Sequence, residues 1–461
     1  LKHTKFFCLA ATTAALTISQ STMAAGFAVS AQSAYGMGNA YAGNAAVARD
    51  VSTVITNPAG IFELEHPTFG IGVSLTATAS KFTDKGTRTF ALIGAEPVDA
   101  PRGANEGISG NNPSPGVYYA RVLNDKWALG FGVNVPFASS SKYDDDWIGR
   151  YHAVETSVTA IDLSPSIAYK VNDKFSIAGG LIIQSASALL TNKLDSGTTC
   201  VLVTAQAGAP VNTCGDSGLQ VNDQSRDSNV EVDGSGTELS FNIGALFKPR
   251  EGTRIGIAYR HGTQHSLEGN TDFTVDPVLG GILAAGDSTF LSDTGSAVAA
   301  DLPATLDLSV AQMVRSNVEL LGTIKFTQWS SFDELTTTFD NPEQDASSLA
   351  LDWEDTVTIS TGFNYSVNEK LTLRAGFSYD QSPVPNPRAR TARGPANDRY
   401  WYSAGGTYSF TKKLSVSFAA VHIQIDQSAI DNTGSTGSPT LRGTFDIDAN
   451  LLAAQLNWHF I

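Results

Sequence analysis

Beyond residue 66 the chain alternates between apolar positions and small or polar ones with a period of two, the pattern of strands whose faces meet different environments. Phe69, Ile71, Val73 and Leu75 are separated by Gly70, Gly72 and Ser74; Trp127, Leu129, Phe131, Val133 and Val135 by Ala128, Gly130, Gly132 and Asn134. The pattern returns at Phe175, Leu239, Ile255, Leu306, Val318, Val357, Phe363, Leu371, Tyr400 and Leu414, and closes with Leu452, Ala454, Leu456, Trp458 and Phe460. The connections come in two sizes. Short turns stand at 124–126, 172–174, 249–252, 315–317, 368–370 and 411–413, and long segments near 81–114, 138–152, 192–229, 262–301, 330–353, 381–398 and 427–440. Six short and seven long connections, strictly alternating, join fourteen strands. Short turns at one end and long loops at the other are the asymmetry of bacterial outer-membrane barrels, with apolar residues towards lipid and small or polar ones towards a lumen. Tyr and Trp gather at strand ends, as interfacial girdles require.

Composition narrows the class. Charged residues make up 16% of 461, against ~25% in an average soluble protein. No internal run approaches the ~20 apolar residues of a spanning helix. A net charge of −15 disfavours a nucleic-acid partner, which needs clustered Lys and Arg.

Residues 1–24 have a basic start (Lys2, Lys5), an apolar stretch from Phe6 to Ile18 and a small-residue end at Ala24. They read as a secretory signal peptide. Cys200 and Cys214 then share one long loop in an oxidising compartment, where a disulfide is expected; metal binding by two lone thiols is the alternative.

Residues 25–66 do not alternate and are rich in Ala, Gly and Asn. A fourteen-stranded barrel leaves a lumen that must be blocked, and this segment is expected to plug it, leaving 67–461 as the barrel. Ala25-Gly26-Phe27, the Gly36-x-Gly38-x-Ala40-Tyr41-x-Gly43 run and Asn57-Pro58-Ala59 resemble the hatch of the FadL family, outer-membrane transporters of long-chain fatty acids and other hydrophobic compounds. Trp329-Ser330-x-Phe332, Ser382-Pro383-Val384-Pro385 and Asp398-Arg399-Tyr400-Trp401 are similar to further family segments. The resemblance implies an all-β fold, a 14-stranded antiparallel transmembrane β-barrel with an N-terminal hatch plugging the lumen. It places Phe27 beside the substrate pocket and gives Asn57, Pro58 and Ala59 a structural role in the hatch.

Three further sites follow. Pro136, within Asn134-Val135-Pro136-Phe137, lacks an N–H and belongs at a bulge; it marks either a kink or the end of the spanning segment, and the resemblance implies a kink that opens a lateral window. Val278, Leu279, Ile282 and Leu283, with Val201 and Leu202, are an apolar cluster in loops expected to face water. They either pack locally or line an outer hydrophobic groove, and the resemblance implies the groove. Arg399 is a candidate carboxylate contact, or a structural ion pair with Asp380 or Asp398.

No catalytic motif, metal set or cofactor fingerprint is present in the sequence, and an enzyme is not expected. The expected activity is passive transport of long-chain fatty acids or similar hydrophobic compounds across the outer membrane of a Gram-negative cell, by capture in an extracellular groove, hatch movement and lateral exit, in a monomer in contact with membrane lipid and lipopolysaccharide. Uptake of neutral aromatic or aliphatic hydrocarbons is the first alternative, and a non-transporting adhesin or phage-receptor barrel the second.

Overall fold

The computed structural model describes residues 26–29, 32–88, 107–208, 210, 213–434 and 438–461, with backbone alone at 107–109 and 111. The expected signal peptide, 1–24, and Ala25 lie outside the described residues.

Fourteen antiparallel strands form one closed barrel. The first six are Thr68–Asp84, Gly107–Val122, Trp127–Lys142, Glu155–Asn172, Phe175–Leu194 and Ser228–Phe247. Four of the next five are broken: Thr253–Arg260 with Thr263–Thr274, Thr294–Leu302 with Thr305–Arg315, Val318–Thr327 with Glu334–Phe339, and Ser347–Ala350 with Thr356–Ser366; Leu371–Asp380 is unbroken. Arg399–Thr411, Leu414–Ile425 with Ser428–Asn432, and Leu441–His459 complete the ring. The last strand pairs with the first in unbroken register from Thr68↔His459 to Asp84↔Gly443.

The alternation sorts the faces as expected. Phe69, Ile71, Val73 and Leu75 point outwards and are exposed, while Ser74, Thr76 and Thr78 are buried on the lumen side. Three of the six short turns are built by asparagine. Asn124 Oδ1 accepts from the amides of Lys126 (2.9 Å) and Trp127 (3.0 Å), and Asn172 and Asn368 do the same for Lys174 and Lys370. Such Asx turns reverse the chain without backbone strain.

The long connections differ from expectation. Much of the segment at 262–301 is ladder, Thr263–Thr274 and Thr294–Leu302, around a helix at Pro277–Ala285. The first strand reaches Asp84 and the second begins at Gly107. Backbone pairing continues beyond the apolar belt because outward polar side chains meet water there, so the hydropathy signal fades while the hydrogen bonds do not.

Residues 32–66 occupy the lumen. A helix at Ala34–Met37 packs on the strands at 399–411, 414–425 and 441–459, and a 3-10 turn at Pro58–Glu63 packs on the second to sixth strands. The wall admits this segment closely: a Cβ on Gly256 would sit 1.9 Å from Ala45 O.

Candidate functional site

The lumen segment is held from its periplasmic end. Asn57 Nδ2 donates to Ala45 O (2.7 Å) and, across to the sixth strand, to Ala245 O (3.0 Å), while its Oδ1 accepts from Ala59 N (3.2 Å). Pro58 and Ala59 are buried beneath it. Asp50 accepts from Gln455 (2.9 Å) and Asn457 (3.2 Å) on the last strand. Arg49 pairs with Glu319 (3.3 Å), and Lys248 with Glu63 (2.6 Å). These polar contacts tie residues 43–63 to the wall on several sides.

The other end is held differently. Gly26 has φ +58°, and a Cβ there would lie 2.4 Å from the Trp329 ring. Its tight turn carries Phe27 into an aromatic cluster. The Phe27 ring centroid lies 5.0 Å from Phe332, 5.4 Å from Trp329, 5.9 Å from Phe137 and 6.2 Å from Trp353. Of these rings the sequence pointed to Phe27 and Phe137 as site residues, and noted Trp329 and Phe332 as a segment without a role. Trp353 carried no signal, because its neighbours are acidic loop residues.

Two cavities meet near this cluster, and Phe27 lines one of them. That one is an apolar chamber bounded by Phe137, Val158, Leu190, Leu267, Val298 and Trp353, among others, with an empty volume of about 960 Å³ including the part continuous with solvent. The other is a cavity of mixed lining on the lumen side, about 1210 Å³ including the part continuous with solvent, reaching Tyr41, Asn44, Arg260, Asp307, Lys325 and Asp380. Phe137 borders both cavities, and Pro136 the lumen one.

Arg399 is 2% exposed and its guanidinium pairs with Asp380, the structural ion pair that the sequence left open as an alternative. A different arginine stands at the rim of the chamber. Arg393 donates to Glu155 O (3.2 Å), Thr156 Oγ1 (3.1 Å) and Asn192 Oδ1 (3.3 Å), and has no carboxylate partner among the described residues. Burial pushes it down to about 10, so it stays charged at neutral pH. Nothing in the sequence separates it from the arginines at 388 and 390, since the missing counter-charge is a property of the fold.

At Asn134-Val135-Pro136-Phe137 the ladder is interrupted. Pairing with the fourth strand shifts register between Asn134 and Phe137, and among the described residues pairing with the second strand ends at Val117↔Val133. Beyond the shift, the third strand turns its free edge to the lumen segment: Val29 N donates to Pro136 O (2.7 Å) and Ala138 N to Phe27 O (2.9 Å). Phe27–Val29 is thus a short surrogate strand.

In the outer loops Cys200 and Cys214 form a disulfide. It is buried with Leu219, Leu279 and Leu283 between a helix at Ser196–Gln206 and the helix at Pro277–Ala285. Leu279 and Leu283 therefore serve the packing of the two helices; Val201, Val278 and Ile282 are half-buried and pack against the same cluster, and Leu202 is half-buried beside them. No group of three or more His, Cys, Asp or Glu that could hold a metal is found among the described residues.

A family model described as outer membrane protein transport protein (OMPP1/FadL/TodX) matches residues 15–460. Outer membrane protein P1 of Haemophilus influenzae is 30% identical, covering 97% of this chain and 98% of its own length. The long-chain fatty acid transport protein of Escherichia coli O6:H1 is 26% identical over 88% of each chain. The solved structure of a Pseudomonas aeruginosa FadL homologue superposes with a TM-score of 0.82 at 23% identity, covering 95% of this chain and all of that one. The Pseudomonas putida toluene transporter TodX superposes with a TM-score of 0.64 at 18% identity, over 89% of this chain and 94% of that one. With a closed fourteen-stranded barrel, an occupied lumen and a family match over nearly its whole length, the chain belongs to the OMPP1/FadL/TodX family of outer-membrane transport channels and is not an enzyme.

Proposed function

We propose that this channel carries long-chain carboxylic acids passively into the outer membrane. The observation that carries the reading is the pairing of an apolar chamber with one guanidinium at its rim that no carboxylate neutralises. An alkyl chain gains ~0.8 kcal/mol for each CH₂ taken out of water, and Arg393 offers a charge-assisted hydrogen bond to the head group. Half-buried Val201, Leu202, Val278 and Ile282 form an outer landing groove. Phe27 is the chamber floor, Asn57, Pro58 and Ala59 anchor the hatch that fills the lumen, and the interrupted third strand at Asn134, Pro136 and Phe137 is the exit sideways into lipid. A lateral exit spares the substrate the aqueous periplasmic mouth.

The chamber's apolar walls also suit neutral hydrocarbons, and a toluene transporter shares the fold. Proteoliposome uptake of labelled oleate and labelled toluene decides between them. Arg393→Gln is expected to lower oleate uptake roughly tenfold, the cost of one charge-assisted bond, and to leave toluene uptake unchanged. Equal loss of both, or of neither, refutes the carboxylate assignment.

A further inference from the structure

The second strand approaches the interrupted seam with an unusual run, Asn112-Pro113-Ser114-Pro115-Gly116. It pairs with the first strand over its whole length there, Pro113 opposite Leu75 and Pro115 opposite Val73. Its other edge faces the third strand. Leu123 N donates to Trp127 O (2.8 Å) across the hairpin, and successive amides along a strand point to opposite sides. Odd-numbered amides of the second strand therefore point towards the third. Pairing runs down this edge from Val122↔Ala128 to Val117↔Val133 and stops. The next two odd positions are Pro115 and Pro113, which have no amide hydrogen to give.

The matching edge of the third strand is engaged elsewhere, by Phe27–Val29. Two segments thus compete for one edge: the surrogate strand from the lumen and residues 112–116 of the wall. If the surrogate withdrew while the wall could pair, the ladder would run on and seal the seam. We propose that Pro113 and Pro115 are positioning residues that keep the lateral seam from zipping shut: they delete the two donors that closure needs. They also spare a lipid-facing edge two unpaired N–H groups, each costly in hydrocarbon. Pro136, in the bulge opposite, offsets the register from the other side. This inference rests on the lateral-exit reading.

The test replaces both prolines, Pro113→Val and Pro115→Val, in the full-length protein in proteoliposomes. The new amides at 113 and 115 report directly, because hydrogen exchange protects them only if they find acceptors. The expected result is protection at both, passage of labelled oleate slowed roughly tenfold for two regained backbone bonds, and unchanged equilibrium binding of oleate. The single variant Pro115→Val, expected to show a smaller slowing, serves if the double variant inserts poorly. Unprotected amides with wild-type passage overturn the role of the prolines. The underlying reading is tested separately on the unmodified protein, with lipid carrying a brominated quencher and albumin inside the vesicle. Fluorescent oleate quenched by lipid before it reaches albumin supports lateral exit; oleate reaching albumin unquenched overturns lateral exit, and the proline role with it.

Discussion

Gly26 shows how one backbone angle places a ring. Its φ of +58° and its contact with Trp329 leave no room for a side chain, and an L-residue in that region costs ~1–2 kcal/mol before any clash. Gly26→Ala should therefore push Phe27 out of its ring cluster and reshape the apolar chamber it lines. Equilibrium binding of labelled oleate should weaken several-fold; unchanged affinity would show that Phe27 does not shape the site. Phe27 and Asn57 were visible in the sequence only through the resemblance of their segments, Ala25-Gly26-Phe27 and Asn57-Pro58-Ala59, to the FadL hatch. Arg393 was invisible because what distinguishes it is a counter-charge that never arrives, and that depends on which side chains other strands bring near.

Among the elements, the second outer loop illustrates a latch with a sign. Trp147 stacks on Tyr143 at 3.8 Å between centroids and donates from Nε1 to Ala153 O (2.7 Å). His152 meets Pro439 O at 2.7 Å, tying the loop to the one before the last strand. Burial, reinforced by the Arg393 charge, pushes His152 down to about 4 from an ordinary 6.5. The open loop binds a proton more readily than the closed one between those values, so closure is fully stable above pH 6.5 and weakens as pH falls towards 4. Hydrogen exchange over 147–154 should accelerate between pH 7 and pH 4, and His152→Asn should flatten that response. At this scale three of the short turns were legible, since an asparagine followed two residues on by lysine prescribes its own reversal. Strand lengths were not. The outer ladders of Thr263–Thr274 and Thr294–Leu302 lie beyond the apolar belt, where nothing selects alternating hydropathy.

For the whole molecule, the barrel and the segment inside it rest on different bonds. Apart from the third strand's edge at Pro136–Ala138, which Phe27–Val29 occupies, the ladders run to neighbours in the wall, whereas residues 43–63 join the wall through side chains such as Asn57, Asp50 and Arg49. Deleting residues 25–59 should leave a barrel with the same β-sheet signal by circular dichroism that leaks small polar solutes in a vesicle-swelling assay. A deletion no more permeable than the full chain would exclude the plug. The strand number was readable because connection length alternates as strictly as side-chain direction. How the lumen segment docks was not, because its anchors reach carbonyls and carboxamides scattered over several strands rather than a repeating face.

Closure of the ring also orders events in time. Thr68 meets His459, 391 positions away, and a separation of that kind makes assembly slow and non-local. The strand that emerges first must wait, one edge unsatisfied, for the strand that emerges last. No intermediate with fewer strands can stand in for the finished ring, because each would present an unpaired edge to hydrocarbon. A chain truncated at Leu441 should accordingly fail to give the heat-modifiable band of a folded barrel on a gel, and not a narrower thirteen-stranded channel. On that reading insertion is all-or-none, and the first strand's edge stays out of hydrocarbon until the last strand arrives to pair with it.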